Sequence, residues 1–272
     1  MSENLKGRTA IVTGAGGAIG SSIATALATR GAHVVVADVD LAITAPTVDA
    51  IVAAGGSAEG YGADITDYEC LLGLSEVAES RGGADILVNS AGVAASELVE
   101  DTDLDQWRRI IDVNLTGAFL CAKAFLPGMR RRRHGRIVNV ASIAAKRISY
   151  NSGAAYTASK AGLLGFTRHL AYEAAPHGIN VNAICPGPVR TPMVERLVDE
   201  DAFDERARTI PAGRLTTPHD QANAVLFLVS DAADMVFGQA IDVDGGSLLG
   251  WYDTATYFAR RTRPQSPAHE RI

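Results

Sequence analysis

Several things are scarce in this chain, and each scarcity excludes something. Cysteine occurs three times in 272 residues, at Cys70, Cys121 and Cys185. That is too few and too scattered for a disulfide framework, and it points to a reducing, cytoplasmic compartment. Positive charge is not in excess: 25 Lys and Arg face 31 Asp and Glu, a net of −6. A protein held on nucleic acid by neutralising phosphates needs the opposite balance, so no nucleic-acid partner is expected. The six histidines (33, 134, 169, 177, 219 and 269) show no ligand spacing. No catalytic metal is expected. The opening Met1-Ser2-Glu3-Asn4-Leu5-Lys6 lacks the apolar core of a secretory signal. One uncharged run, Thr9 to Thr29, holds four Gly, four Thr and two Ser. It reads as strand–turn–helix rather than a membrane span, and no membrane partner is expected.

What is present is ordinary globular composition, 47% hydrophobic and 21% charged. A chain of this length can bury roughly three quarters of its unfolded surface without a metal or disulfide staple. Short β-rich runs alternate with longer helical patterns. The strand candidates are Thr9–Thr13, His33–Ala37, Glu59–Ala63, Asp85–Asn89, Arg136–Ala141, Ile179–Ile184 and Ala240–Val243. Several are continuous Val/Ile runs, as expected of parallel strands covered on both faces. Helical patterns fill Ala18–Arg30, Thr44–Ala54, Asp67–Ser80, Asp105–Arg132, Ala155–Ala175 and His219–Ser230. The alternation predicts right-handed βαβ crossovers and an α/β fold with one doubly wound, seven-stranded parallel sheet. A single domain over residues 1–250 is expected, with a mobile flap at about 191–214 and an extension over 251–272.

Thr13-Gly14-Ala15-Gly16-Gly17-Ala18-Ile19-Gly20 follows the first strand and opens the first helix. Glycines there allow a tight turn and close approach of a pyrophosphate to free helix N–H groups. A tight turn without ligand would use the same residues. The second strand ends at Asp38, 18 residues past Gly20. A carboxylate at that place can accept both ribose hydroxyls of NAD and would repel a 2′-phosphate. No Lys or Arg lies in the glycine turn or directly after Asp38. NAD is therefore expected over NADP, with a solvated strand-end acid as the bland alternative. Tyr156 and Lys160 sit at i and i+4 and share a helix face. An ammonium beside a phenol favours phenolate, which would make Tyr156 an acid/base group; alone, such a pair is more often a surface contact. Ser142 ends the fifth strand, and Asn114 lies in the preceding long helix.

Taken in order, Thr13–Gly20, Asp38, Asp64-Ile65, Asn89-Ser90-Ala91-Gly92, Asn114, Ser142, Tyr156/Lys160, Pro186-Gly187 with Thr191, and Asp244-Gly245-Gly246 resemble the motifs of the short-chain dehydrogenase/reductase family. The chain departs from the family at Ala18, where a glycine is usual, and at Ser90, where a second asparagine is usual. The resemblance implies a Rossmann-type domain and hydride transfer between NAD and a secondary alcohol or ketone. It implies that Tyr156 moves the hydroxyl proton, Ser142 binds the substrate oxygen, and Lys160 holds the nicotinamide ribose and lowers the Tyr156 pKa. Asn114 would anchor a water linking Lys160 to solvent. Gly14, Gly16, Gly17, Ala18, Ile19 and Gly20 would hold the pyrophosphate. Asp64 and Ile65 would meet the adenine, and Asn89, Ala91 and Gly92 would line the ribose side. Pro186, Gly187, Val189 and Thr191 would hold the nicotinamide. A homotetramer through the two long helices and the last strand is also implied.

The substrate pocket is expected among Ala94, Ala95, Ala144, Lys146, Arg147, Asn151 and Met193–Leu197, a small and polar set. It suits a modest cyclic alcohol or diol, a polyol or a hydroxy acid. Reduction of a 3-oxoacyl thioester on acyl carrier protein is the alternative activity, and a non-catalytic NAD-binding regulator a further one. The basic run Arg130–Arg133 with His134 and Arg136 reads as a solvated helix end, or as a dock for an acidic carrier protein.

Overall fold

The computed structural model describes residues 4–149, 151–191, 205–250 and 254–262. Seven strands form one sheet: β1 Thr9–Thr13, β2 His33–Asp38, β3 Ser57–Gly62, β4 Ile86–Asn89, β5 Gly135–Val140, β6 Ile179–Pro186 and β7 Ala240–Val243. Their order is β3-β2-β1-β4-β5-β6-β7, with every neighbouring pair parallel. Among the described residues the α-helices are α1 Ala18–Thr29, α2 Leu41–Ala53, α3 Tyr68–Glu79, α4 Leu104–Ile111, α5 Gly117–Arg132, α6 Ala154–Ala174, α7 Pro218–Leu228 and α8 Thr254–Thr262.

The apolar strand runs are explained by burial on two faces. Ala10, Val12, Val34, Val36 and Val88 point to one side, where Ile23, Leu27, Val225 and Leu228 of α1 and α7 cover them. Ile11, Val35, Leu87 and Ile137 point to the other, against Leu71, Leu74, Phe125, Met129 and Leu170. Because side chains alternate along a strand, a sheet covered on both faces needs an apolar residue at every position. β3 is the exception. Its sequence, SAEGYG, has little strand character, and it starts two residues before the expected Glu59. Pairing with β2, from His33↔Ser57 to Asp38↔Gly62, sets its limits.

The expected long helix Asp105–Arg132 is interrupted. Asp112–Thr116 forms a π turn between α4 and α5, with Asn114 buried inside it. The stretch Leu104–Arg132 is long and apolar enough, by composition, to cross a membrane. In this fold Cys121, Phe125 and Met129 of α5 sit in the core instead.

Arg136 belongs to no solvated cluster, contrary to expectation. It is buried in β5 and donates to Asn180 Oδ1 (2.7 Å) and Asp234 Oδ1 (3.0 Å). Arg131 and Arg132 bind Glu79, Arg132 also reaches the Ala84 carbonyl, and Arg133 donates to the Pro176 carbonyl. Most of the basic run is thus committed within the chain. Arg136→Met keeps the apolar stem and removes the polar contacts. It should cost about 1–3 kcal/mol, seen as a lower denaturant midpoint at unchanged slope; an unchanged midpoint would contradict this.

Candidate active site

A cleft of about 1410 Å3 lies along the C-terminal ends of the strands. It opens where the strand order reverses between β1 and β4, the place at which open α/β sheets bind ligands. On one side of it β1 runs into the glycine turn. Gly14 has φ +63°, and a Cβ there would stand 2.5 Å from Ala91 Cα. A Cβ on Gly20 would collide with the Gly14 carbonyl. Both positions therefore exclude a side chain, which lets the backbone turn tightly beneath β4. α1 starts at Ala18, and its N-cap Gly17 offers no side-chain acceptor. The first-turn N–H groups are left without a capping side chain, an arrangement that suits an anion.

Two threonines hold this turn: Thr13, which opens the glycine motif, and Thr47, which sequence reasoning missed. Thr13 Oγ1 accepts from the backbone N–H of Ser90 (3.2 Å) and Ala91 (3.4 Å). Thr47 Oγ1 bonds the Ala15 carbonyl and Ser21 Oγ, both at 2.9 Å. Thr47 carries no spacing signal, so only the fold brings it here. At the end of β2, Asp38 accepts from Gly16 N (3.0 Å) and Val39 N (2.8 Å). The carboxylate is thereby fixed at the rim, beside the glycine turn.

Every expected cofactor residue but one lines this cleft: Gly14, Gly16, Gly17, Ala18, Ile19, Gly20, Asp38, Asp64, Ile65, Ala91, Gly92, Tyr156, Lys160, Pro186, Gly187, Val189 and Thr191. Asn89 does not. Its side chain is buried under the sheet end and donates to Asn139 Oδ1 at 2.8 Å. Its neighbour Ser90, the departure from the family pattern, faces the cleft instead.

Ser142 and Tyr156 both line the cleft, with Lys160 one helical turn on from Tyr156. Ser142 Oγ accepts from Ala144 N at 3.1 Å and caps a short 3-10 turn. Lys160 is buried, donates to the Val140 carbonyl at 2.9 Å, and lies 5.7 Å from the centre of the Tyr156 ring. Burial lowers the Lys160 pKa to about 8. Burial also pushes the Tyr156 phenol above its usual value, opposed by a hydrogen bond with Ser142. That hydrogen bond favours the phenolate.

Asn114 does not reach the cleft. Its Oδ1 accepts from Val93 N (2.8 Å), and its Nδ2 donates to the Val93 carbonyl (2.9 Å) and to Ser159 Oγ (3.0 Å). Both amide hydrogens of the side chain are committed to these contacts. The side chain instead ties the loop after β4 to α6. Of the expected substrate residues, Ala94 and Asn151 line the cleft, while Ala95, Ala144, Lys146 and Arg147 do not. Met193–Leu197 lie outside the described residues. Asp105, Arg108, Arg109, Asp112 and Val113 form an unexpected wall. Their i, i+3, i+4, i+7, i+8 spacing on one helical face was the available signal. Among the described residues, no group of three or more His, Cys, Asp or Glu is placed to hold a metal ion.

Fold and cleft define a nucleotide-dependent oxidoreductase of the doubly wound type, and comparison with known proteins agrees. A family profile described as enoyl-(acyl carrier protein) reductase matches residues 14–247. The chain is 39% identical over 252 residues to 2-(S)-hydroxypropyl-CoM dehydrogenase 3 of Xanthobacter autotrophicus, covering 90% of this chain and 98% of that one. It is 38% identical over 248 residues to a 3-oxoacyl-[acyl-carrier-protein] reductase of Vibrio cholerae, covering 90% and 99%. Among solved structures, it is similar to a provisionally assigned NAD(P)-dependent gluconate 5-dehydrogenase of Beutenbergia cavernae, with NADP bound at low occupancy. The TM-score is 0.85 and the identity 41%, over 91% of this chain and 99% of that one. A Brucella melitensis 3-oxoacyl-[acyl-carrier protein] reductase with bound NAD gives TM-score 0.81 and 37% identity over 89% and 91%.

The chain belongs to the short-chain dehydrogenase/reductase family. It is an oxidoreductase acting on CH–OH and C=O groups, in a family that binds a nicotinamide cofactor.

The Lys160 shift predicts a pH signature. The fold holds this proton less tightly than the unfolded chain, whose lysines titrate near 10.5. Between about pH 8 and 10.5 the unfolded chain binds more protons, so this group's penalty is full below pH 8 and fades above it. Lys160→Met should raise the melting temperature at pH 7 without added nucleotide, with the gain shrinking towards pH 10. A fall of equal size at both pH values would contradict this.

Proposed function

We propose that this enzyme is an NAD-dependent dehydrogenase of a small secondary alcohol, with Tyr156 as the acid/base group. The observation that carries the cofactor preference is Asp38. Its carboxylate is held at the cleft rim by two backbone N–H groups, and the next residue is Val39 rather than a cation. A 2′-phosphate placed beside it would meet a fixed negative charge.

The residues fit the nucleotide. Gly14 and Gly20 form a cradle that a Cβ would fill, and the uncapped start of α1 suits the pyrophosphate. Asp64 and Ile65 lie on the adenine side, Ala91 and Gly92 along the ribose, and Pro186, Gly187, Val189 and Thr191 at the nicotinamide. When bound, the nicotinamide takes or gives the hydride. Tyr156 takes the hydroxyl proton during oxidation and returns it during reduction. Ser142 donates to the substrate oxygen and stabilises charge that develops there. Lys160, anchored on the Val140 carbonyl, would hold the nicotinamide ribose with its remaining N–H donors. Asn114 acts by fixing Val93 and Ser159, and so the walls on which Gly92 and Lys160 stand.

Ala94 and Asn151 leave a pocket wall that is small and polar, which supports a cyclic alcohol or diol, a polyol or a hydroxy acid. Relatives that are 3-oxoacyl thioester reductases support a second reading. The expected dock for an acidic carrier does not favour it, since Arg131 and Arg132 already bind Glu79. We take the enzyme to be cytoplasmic and without nucleic-acid or membrane partners. A homotetramer is supported by the exposed Phe119, stacked edge-on to Phe166 at 6.0 Å between α5 and α6, and by the open edge at β7. Sedimentation should give four copies at micromolar concentration; a monomer would overturn the assembly.

The decisive assay follows nucleotide reduction with gluconate, 3-hydroxybutyrate and cyclohexane-1,2-diol, with NAD and NADP in parallel, and oxidation of NADH or NADPH with an acetoacetyl thioester. Turnover of an alcohol with NAD is expected. Asp38→Ala should shrink the preference for NAD about tenfold, equivalent to ~1.4 kcal/mol. Turnover confined to NADPH and the thioester would overturn the reading in favour of the second.

A further inference from the structure

Ser142 opens a compact turn whose far end is tied elsewhere. The Ala145 N–H donates to the Ser142 carbonyl (3.0 Å), and the N–H groups of Lys146 (2.9 Å) and Arg147 (3.1 Å) donate to the Ile143 carbonyl. Together with the Ala144 N–H on Ser142 Oγ, these bonds make residues 142–147 one unit. Lys146 then crosses over β6 to reach β7. Its Nζ binds Asp242 Oδ1 at 2.5 Å and the Ala240 carbonyl at 3.1 Å. Arg147 donates to the Ser247 carbonyl at 3.1 Å, in the turn after β7. Next to Arg147, Ile148 is 86% exposed.

The last residue of β7, next to Asp242, supports the cleft floor. Gly187 N donates to the Val243 carbonyl at 3.0 Å, and a Cβ on Gly187 would stand 2.6 Å from Asp244 Cα. Asp244 in turn fixes its own turn, accepting from Gly246 N and Leu248 N, both at 2.8 Å. Two parts of the site thus share one reference: the Ser142 turn from one side and the Pro186-Gly187 floor from the other.

We propose that Lys146 and Arg147 are positioning residues that register the Ser142 hydroxyl against the Pro186-Gly187 floor, by clamping the Ser142 turn to the end of β7. The proposal rests on the role given to Ser142 above. Lys146 and Asp242 are each about a third exposed. An ion pair that open to water contributes little to global stability. Its effect on reaction geometry can be larger, because a displacement of about 1 Å can cost a hundredfold in rate. Lys146 does not line the cleft, so its substitution should leave nucleotide binding unchanged.

The test compares Lys146→Met, Lys146→Arg and Ser142→Ala in the full-length enzyme, using the best alcohol of the panel above. Lys146→Met should lower kcat about tenfold, with the NAD dissociation constant within about twofold and the melting temperature nearly unchanged. Lys146→Arg keeps a donor for Asp242 and should recover most of the loss. Hydrogen exchange needs no substrate: Lys146→Met should speed exchange in the peptide covering 142–149 and leave residues 14–20 as they were. The inference is overturned if Ser142→Ala loses at least a hundredfold in kcat while Lys146→Met keeps kcat and exchange like the parent. It is also overturned if kcat, NAD binding and melting temperature all fall together, which marks a structural role. A Ser142→Ala enzyme with nearly full activity would instead sink the role of Ser142 itself.

Discussion

The arrangement of this enzyme depends on how closely the backbones of β1 and β4 approach just beyond their last paired residues. At Gly14 there is no room for a Cβ, because Ala91 Cα already stands where its neighbour would be. That contact closes the bottom of the cleft and sets the helix start at Ala18 beneath it. Thr13 secures it by accepting two N–H groups from the loop after β4. The glycine turn, the Ala91-Gly92 wall and the rim carboxylate of Asp38 all take their places from this approach. A parallel sheet supplies the setting, since every strand delivers its C-terminal end to the same edge.

The half of the cleft that carries Ser142, Tyr156 and Lys160 is built on a different principle, the confinement of ionisable groups. Lys160 is buried with one carbonyl as its fixed acceptor, and its proton is held less firmly than in water. Tyr156 is pushed the other way, towards the neutral phenol, with Ser142 opposing. Burial acts against the charged form of each, so the pair is costly to fold and ready to exchange protons. The buried thiols do not compete for this chemistry: burial raises Cys185 to about 11 and Cys121 to about 12, which keeps both protonated.

Much of this was legible in the sequence because it is written in local patterns. The Val/Ile runs named the central strands, since only a doubly covered sheet needs apolar residues at consecutive positions. Gly14, Asp38 and the Tyr156/Lys160 pair carried spacing that the fold translates into position. Three kinds of feature escaped. The limits of β3 depend on pairing with β2, not on its own residues. The π turn at Asn114 depends on bonds to Val93 and Ser159, which are far away in sequence. Arg136 and Lys146 looked like surface or pocket cations because sequence shows charge but not partners; the structure gives them Asn180, Asp234 and Asp242.

The central claim is that Tyr156 moves the proton in a site whose nucleotide binding is built separately. Single-turnover hydride transfer by Tyr156→Phe tests it most directly, with NADH binding measured by fluorescence on the same sample. The account predicts unchanged NADH affinity and a transfer rate lower by about 10²–10⁴-fold. A transfer rate within a few-fold of the parent enzyme, at equal NADH affinity, would contradict it.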